Sequence, residues 1–98
     1  MVARTWRGWT AAESADEVAA SLRDGALARY AAAPGCIAAQ VLCRPIAGGV
    51  EVMTLSLWES ADALPTEVEE RHRLLVARQT VPACWDIVGE PTAIAAAA

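Results

Sequence analysis

The stretch from residue 36 to residue 58 restricts the fold more than any other part of the chain. From Cys36 to Arg44 the side chains alternate, with Ile37, Ala39, Val41 and Cys43 on one face and Ala38, Gln40, Leu42 and Arg44 on the other. From Val50 to Trp58 they alternate again, with Val50, Val52, Thr54, Ser56 and Trp58 opposite Glu51, Met53, Leu55 and Leu57. Gly48-Gly49 between the runs supplies the backbone freedom of a tight turn. The result is an antiparallel hairpin, and the rest of the chain has to build a sheet around it.

The flanking segments supply the other elements. Val2 to Trp9 reads as a strand, with Val2, Arg4, Trp6 and Gly8 sharing one face. Ser14 with Glu17 fits a capping box opening a helix. Val18, Ala19, Leu22, Ala26 and Tyr30 form its apolar stripe, Gly25 weakens it, and Pro34-Gly35 ends it. Ser60 caps a second helical region, with a short turn to Leu64 and a longer helix from about Thr66 to Gln79. A last strand runs from Ala83 to about Ile94. The order βαββαβ predicts an α+β, ferredoxin-like fold with both helices on one face of an antiparallel sheet. The other face lacks a helix, and strand faces such as Val50/Val52/Trp58 and Ile37/Ala39/Val41 are too apolar to meet water. A second copy docked face to face would cover it, giving a homodimeric α+β barrel with a cavity in each half. One domain spans 1–94, and the alanine-rich tail 95–98 frays.

Composition supports this. A 98-residue chain fits one domain, and 55% hydrophobic residues is high for that size, as when apolar surface is hidden in an interface or a ligand cavity. All eight basic residues are arginine, scattered in a chain of net charge −4. No basic stripe could follow nucleic acid or an anionic membrane. No apolar run reaches the roughly 18 residues of a membrane span. With no signal-peptide core at the N-terminus, the chain reads as cytoplasmic. Three widely spaced cysteines suit neither a disulfide framework nor a zinc site. No glycine-rich phosphate loop calls for a nucleotide.

Four segments then carry a resemblance: Ala3-Arg4-Thr5-Trp6-Arg7-Gly8, Pro34-Gly35, Leu42-Cys43-Arg44 and Leu55-Ser56-Leu57-Trp58-Glu59-Ser60. In order and spacing the chain resembles the antibiotic biosynthesis monooxygenase family of dimeric α+β barrels. The resemblance implies a small-molecule pocket. It also implies activities that range from metal- and flavin-free hydroxylation of polyketide-derived aromatic rings to quinol oxidation and haem degradation. The hydroxylating members use an Asn four residues before the tryptophan and a Tyr six after it. Thr54 and Leu64 stand there in this chain, and the Asn-Trp-His set of the haem-degrading members is not available to a chain without Asn.

The candidate residues follow. Trp58 either stacks on a flat substrate or plugs the core between sheet and helix. Arg4, on the same strand face as Trp6, either stabilises a phenolate or enolate oxygen or sits at a rim. Arg44 is a weaker candidate of the same kind, with Glu51 or Glu59 as its alternative partner. His72 is the only histidine; it is either a general base or part of a solvated helix face among Glu69, Glu70, Arg71 and Arg73. Arg78 and Thr54 join Trp6 and Trp58 as substrate-binding candidates. Trp9 and Trp85 read as packing or dimer contacts, Asp86 as a surface carboxylate, and Cys36, Cys43 and Cys84 as buried free thiols. The leading expectation is a cofactor-free monooxygenase acting on a hydrophobic aromatic phenol or quinol of polyketide type. The alternatives are an oxygen-independent cyclase or isomerase and a non-catalytic small-molecule-binding dimer.

Overall fold

A computed structural model describes residues 1–65, 74–77 and 82–89. Strand β1 (Val2–Thr10), β2 (Cys36–Ile46) and β3 (Gly49–Trp58) form the body of an antiparallel sheet in the order β2–β3–β1. The glycine turn closes the hairpin with Gly48 at φ +83°, a left-handed conformation that glycine adopts at no steric cost. β3 is central and pairs with β1 over its length, from Val2 opposite Trp58 to Thr10 opposite Val50. Two short strands share the other edge of β1. β5 (Ala83–Asp86) lies along Val2–Thr5, and β4 (Val76–Ala77) lies along Gly8 and Trp9. With β5 as the closing strand, this is the ferredoxin-like α+β topology.

Among the described residues one helical rod packs on the sheet, in three segments: α1 (Ala15–Leu22), a π-helical stretch (Arg23–Leu27) and α2 (Ala28–Ala32). The π stretch has a packing consequence. Val18, Leu22, Ala26 and Tyr30, all buried, recur every four residues, whereas an α-helix turns in about 3.6. A pure α-helix would carry the stripe off the sheet by about 40° per step, and the wider π turn brings it back. Gly25 lies within this stretch. Ser14 occupies the N-cap position of α1, but its side chain makes no capping bond; a short 3-10 turn, Ala12–Ser14, leads into the helix instead. The core consists of the helical stripe packed against Val52 and Trp58.

Several expectations need correction. The Val50/Val52/Trp58 face does not await a second copy: Val52 and Trp58 lie under the helix at 0% exposure. The open face carries Leu42, Met53, Leu55 and Leu57 instead. Ile37 leaves its expected face because a bulge between Cys36 and Ala38 shifts the register, and it is half exposed. The second helix cannot run to Gln79, because Val76 and Ala77 pair with β1 as a strand. A free sheet edge beside Gly8 and Trp9 offers backbone hydrogen bonds that end the helical pattern there. The described part of the last strand stops at Asp86, short of Ile94. The cysteines are free, but not buried: Cys43 and Cys84 are exposed and Cys36 is intermediate.

Candidate functional site

The side of β1 facing the helix carries an unusual set for a covered surface. Arg4 is 6% exposed, and Trp6 and Thr10 are buried beside it. Strand alternation dictates this: Val2, Arg4, Trp6, Gly8 and Thr10 all point inward. Register then fixes their neighbours, placing Arg4 opposite Ser56, Trp6 opposite Thr54, and Val2 opposite Trp58. Arg4, Trp6, Thr54 and Trp58 therefore occupy one face.

Tyr30 ties this group to the helix. The Arg4 guanidinium carbon lies 5.9 Å from the Tyr30 ring centroid, a cation–π distance. Tyr30 meets Trp58 edge to face, with centroids 5.7 Å apart and ring planes at 74°. The Trp58 indole N–H donates to Ser56 Oγ at 2.8 Å, and the Ser56 hydroxyl donates in a longer contact of 3.5 Å to the Arg4 carbonyl. Two inward polar atoms differ. Trp6 Nε1 and Thr10 Oγ1 are buried with no hydrogen-bond partner among the described residues, a situation that costs about 1–3 kcal/mol per group. Gly8 makes room beside Trp6. A Cβ there would come within 2.9 Å of the far edge of the Trp6 ring and 2.8 Å of Leu75 Cδ1.

The other candidates lie elsewhere. Arg44 is on the open face, its Nε 3.0 Å from Glu51 Oε1, and so cannot converge with Arg4. Trp85 is 61% exposed, and its indole N–H reaches Thr5 Oγ1 at 3.5 Å. Asp86 is exposed. Cys84 pairs with Arg4 across β1 and β5, yet its side chain is exposed. His72 and Arg78 lie outside the described residues. Tyr30 and Ser56 were not singled out from sequence. Tyr30 stands out as the only ring in the helical stripe, and Ser56 as the hydroxyl two residues before Trp58 on the same face.

Grooves lined by described residues lie away from Arg4, Trp6, Thr54 and Trp58. One of 480 Å³ runs between the π stretch and the edge of β2, lined by Arg23, Leu27 and Cys36 among others. One of 410 Å³ lies between Arg7, Leu42, Arg44 and Met53, and one of 140 Å³ beside Gln40, Leu55 and Leu57. Burial pushes the Cys36 thiol up, against a smaller opposing effect from its contact with the Ala38 carbonyl. Burial, then Asp16, raises that of Cys43, with Arg23 opposing. Both thiols are thus poorer nucleophiles than a free cysteine. Among the described residues no three His, Cys, Asp or Glu are grouped to hold a metal, and no helix is long and apolar enough to cross a membrane.

The covered face thus offers a fixed cation and an indole donor among aromatic and apolar walls. Such a setting suits an aromatic molecule bearing an oxygen on which negative charge develops. A family model described as antibiotic biosynthesis monooxygenase matches residues 1–74. Comparison with curated proteins and with solved structures gives no match.

Proposed function

The chain belongs to the antibiotic biosynthesis monooxygenase family, and from that premise we propose that it is a cofactor-independent monooxygenase acting on an aromatic polyketide-type phenol or quinol. The observation that carries the proposal is Arg4, an arginine at 6% exposure on the same covered face as Trp6, Thr54 and Trp58. A buried charge is costly unless it is paired and hydrogen-bonded. The role proposed for it is to stabilise the oxyanion of a deprotonated substrate.

In the proposed reaction the substrate loses a proton from a ring methylene conjugated with its carbonyl, which gives the phenolate of its enol tautomer. His72 is the proposed base. The electron-rich carbon adds to dioxygen, and the hydroperoxide formed loses water to leave a new carbonyl. A CH₂ group and dioxygen become C=O and water, so the substrate supplies all the electrons. The protein contributes orientation, exclusion of water and charge stabilisation. Trp6 and Trp58 bound the aromatic ring, Thr54 lies between them, and Arg78 is the proposed second cation. A second copy docked on the open face covers Leu42, Leu55, Leu57 and Trp85.

Anthrone, whose enol tautomer is a phenol, tests the reaction. The expected result is one dioxygen consumed per anthraquinone formed, with the rate falling about 100-fold or more in Arg4→Met. Dioxygen uptake no faster than in buffer overturns it. Thr54 favours a second reading, because the hydroxylating members carry Asn at that position. An oxygen-independent cyclase or isomerase would need the same enclosure and proton transfer without that Asn. Conversion of a polyketide-like diketone under strict anaerobiosis distinguishes it.

A further inference from the structure

Two indoles face the helix side of the sheet, and their N–H groups are treated differently. That of Trp58 is bonded within the fold to Ser56 Oγ at 2.8 Å. That of Trp6, in a side chain only 3% exposed, has no partner among the described residues. The sequence provides the Trp58 acceptor by placing a serine two residues earlier on the same strand face. The corresponding neighbours of Trp6 on β1 are Arg4, which has no side-chain acceptor, and Gly8, which has no side chain. Gly8 instead gives space for the Trp6 ring, since any Cβ there would crowd both that ring and Leu75.

We infer that the Trp6 indole N–H is the donor that orients the ligand, bonding a carbonyl or phenolate oxygen on a bicyclic or larger aromatic framework. Trp6 is then a specificity-determining residue that uses its polar edge rather than its face alone. An indole N–H only donates, so it selects an oxygen acceptor and discriminates against the hydrocarbon of the same shape. A buried polar group left unmatched is what makes such discrimination large. The inference rests on the covered-face pocket proposed above, but not on any reaction occurring there.

The test uses α-tetralone and tetralin, which share a bicyclic skeleton and differ in one carbonyl. Binding to the intact protein is followed by the indole N–H resonances in a proton–nitrogen correlation spectrum, assigned through Trp6→Phe, Trp9→Phe and Trp85→Phe. α-Tetralone should bind about tenfold more tightly than tetralin. It should move the Trp6 N–H resonance downfield while leaving that of Trp58 nearly in place, and Trp6→Phe should bring the two affinities together. If that variant folds poorly, backbone-to-side-chain sequential assignment of the wild-type spectrum identifies the Trp6 resonance, and the wild-type titrations decide the matter. If both molecules bind equally and the Trp6 N–H stays still, the inference is overturned and the pocket stands. If neither binds, the pocket and the inference both fall.

Discussion

Each face of the sheet carries some residues of the kind expected on the other. The covered face holds Arg4, Thr10, Thr54 and Ser56 among its buried residues. The face that no described helix covers carries Leu42, Met53, Leu55, Leu57 and the exposed Trp85. In most proteins the informative exceptions are a buried polar group and an exposed apolar patch, and this domain has one on each side of a single sheet. The covered face holds polar groups where a plain core would be cheaper, which suits ligand chemistry. The open face holds apolar groups where water would favour charge, which suits a partner. The comparison is easiest to break through the tryptophans. Trp58→Ala should cost about 3–5 kcal/mol by urea denaturation, at every protein concentration. Trp85→Ala should act only through association, so its effect should vary with protein concentration. A Trp58→Ala variant that unfolds within 1 kcal/mol or so of wild type would show that the covered face is not the core.

The open face gives the next largest effect. Leu57 sits on central β3 between Ala3 and Ala38, so Leu57→Glu places a charge in the middle of the proposed interface. The wild type should sediment as a dimer at low micromolar concentration and Leu57→Glu as a folded monomer, with unchanged far-ultraviolet circular dichroism. A wild-type monomer under those conditions would remove the partner from the account and leave the open face unexplained.

A smaller change sharpens the covered face. Ser56→Ala deprives the Trp58 N–H of its acceptor, at an expected cost of about 1–3 kcal/mol. Thr5→Ala removes only the long contact from exposed Trp85 and should stay within about 0.5 kcal/mol. Equal denaturation midpoints for the two variants would mean that the Trp58–Ser56 bond contributes no more than a surface contact does.

The sequence made the alternation of each strand legible, and with it the shared face of Arg4 with Trp6 and of Thr54 with Trp58. The register of β1 on β3 then puts the two pairs on the same side of the sheet. The sequence did not reveal which face the helix would cover, because both faces of β3 are apolar enough for a core: Val52 and Trp58 on one, Leu55 and Leu57 on the other. The deciding contact is Tyr30 against Trp58, which pairs residues 28 positions apart on different elements and leaves no local signal. The strand at Val76–Ala77 was hidden for a related reason. Leu74, Leu75 and Arg78 fit a helical pattern, and only the vacant edge of β1 beside Gly8 favours pairing. Ile37 was misplaced by one residue's bulge, which shifts facing without altering the alternation that precedes or follows it.

The smallest expected effect concerns the thiols at the rim of the covered side. Cys43 lies opposite Val52 and is exposed, yet its pKa is raised, first by burial of part of its surroundings and then by Asp16. A thiol that holds its proton more tightly when folded favours the folded state's neutral form. Stability therefore falls as pH rises from the unfolded thiol's range toward the folded one. Solvent screening keeps that change small at an exposed site, so alkylation is the better measure. In a Cys36→Ser, Cys84→Ser background, iodoacetamide should modify Cys43 more slowly at about pH 8 than it does in the urea-unfolded chain. The gap should narrow as pH rises and thiolate forms in both. Asp16→Asn should move the folded profile toward lower pH, while Arg23→Gln should move it the other way. Profiles that coincide in folded and unfolded chains, or an Asp16→Asn variant that leaves the folded profile in place, would mean that the helix start does not reach β2 electrostatically.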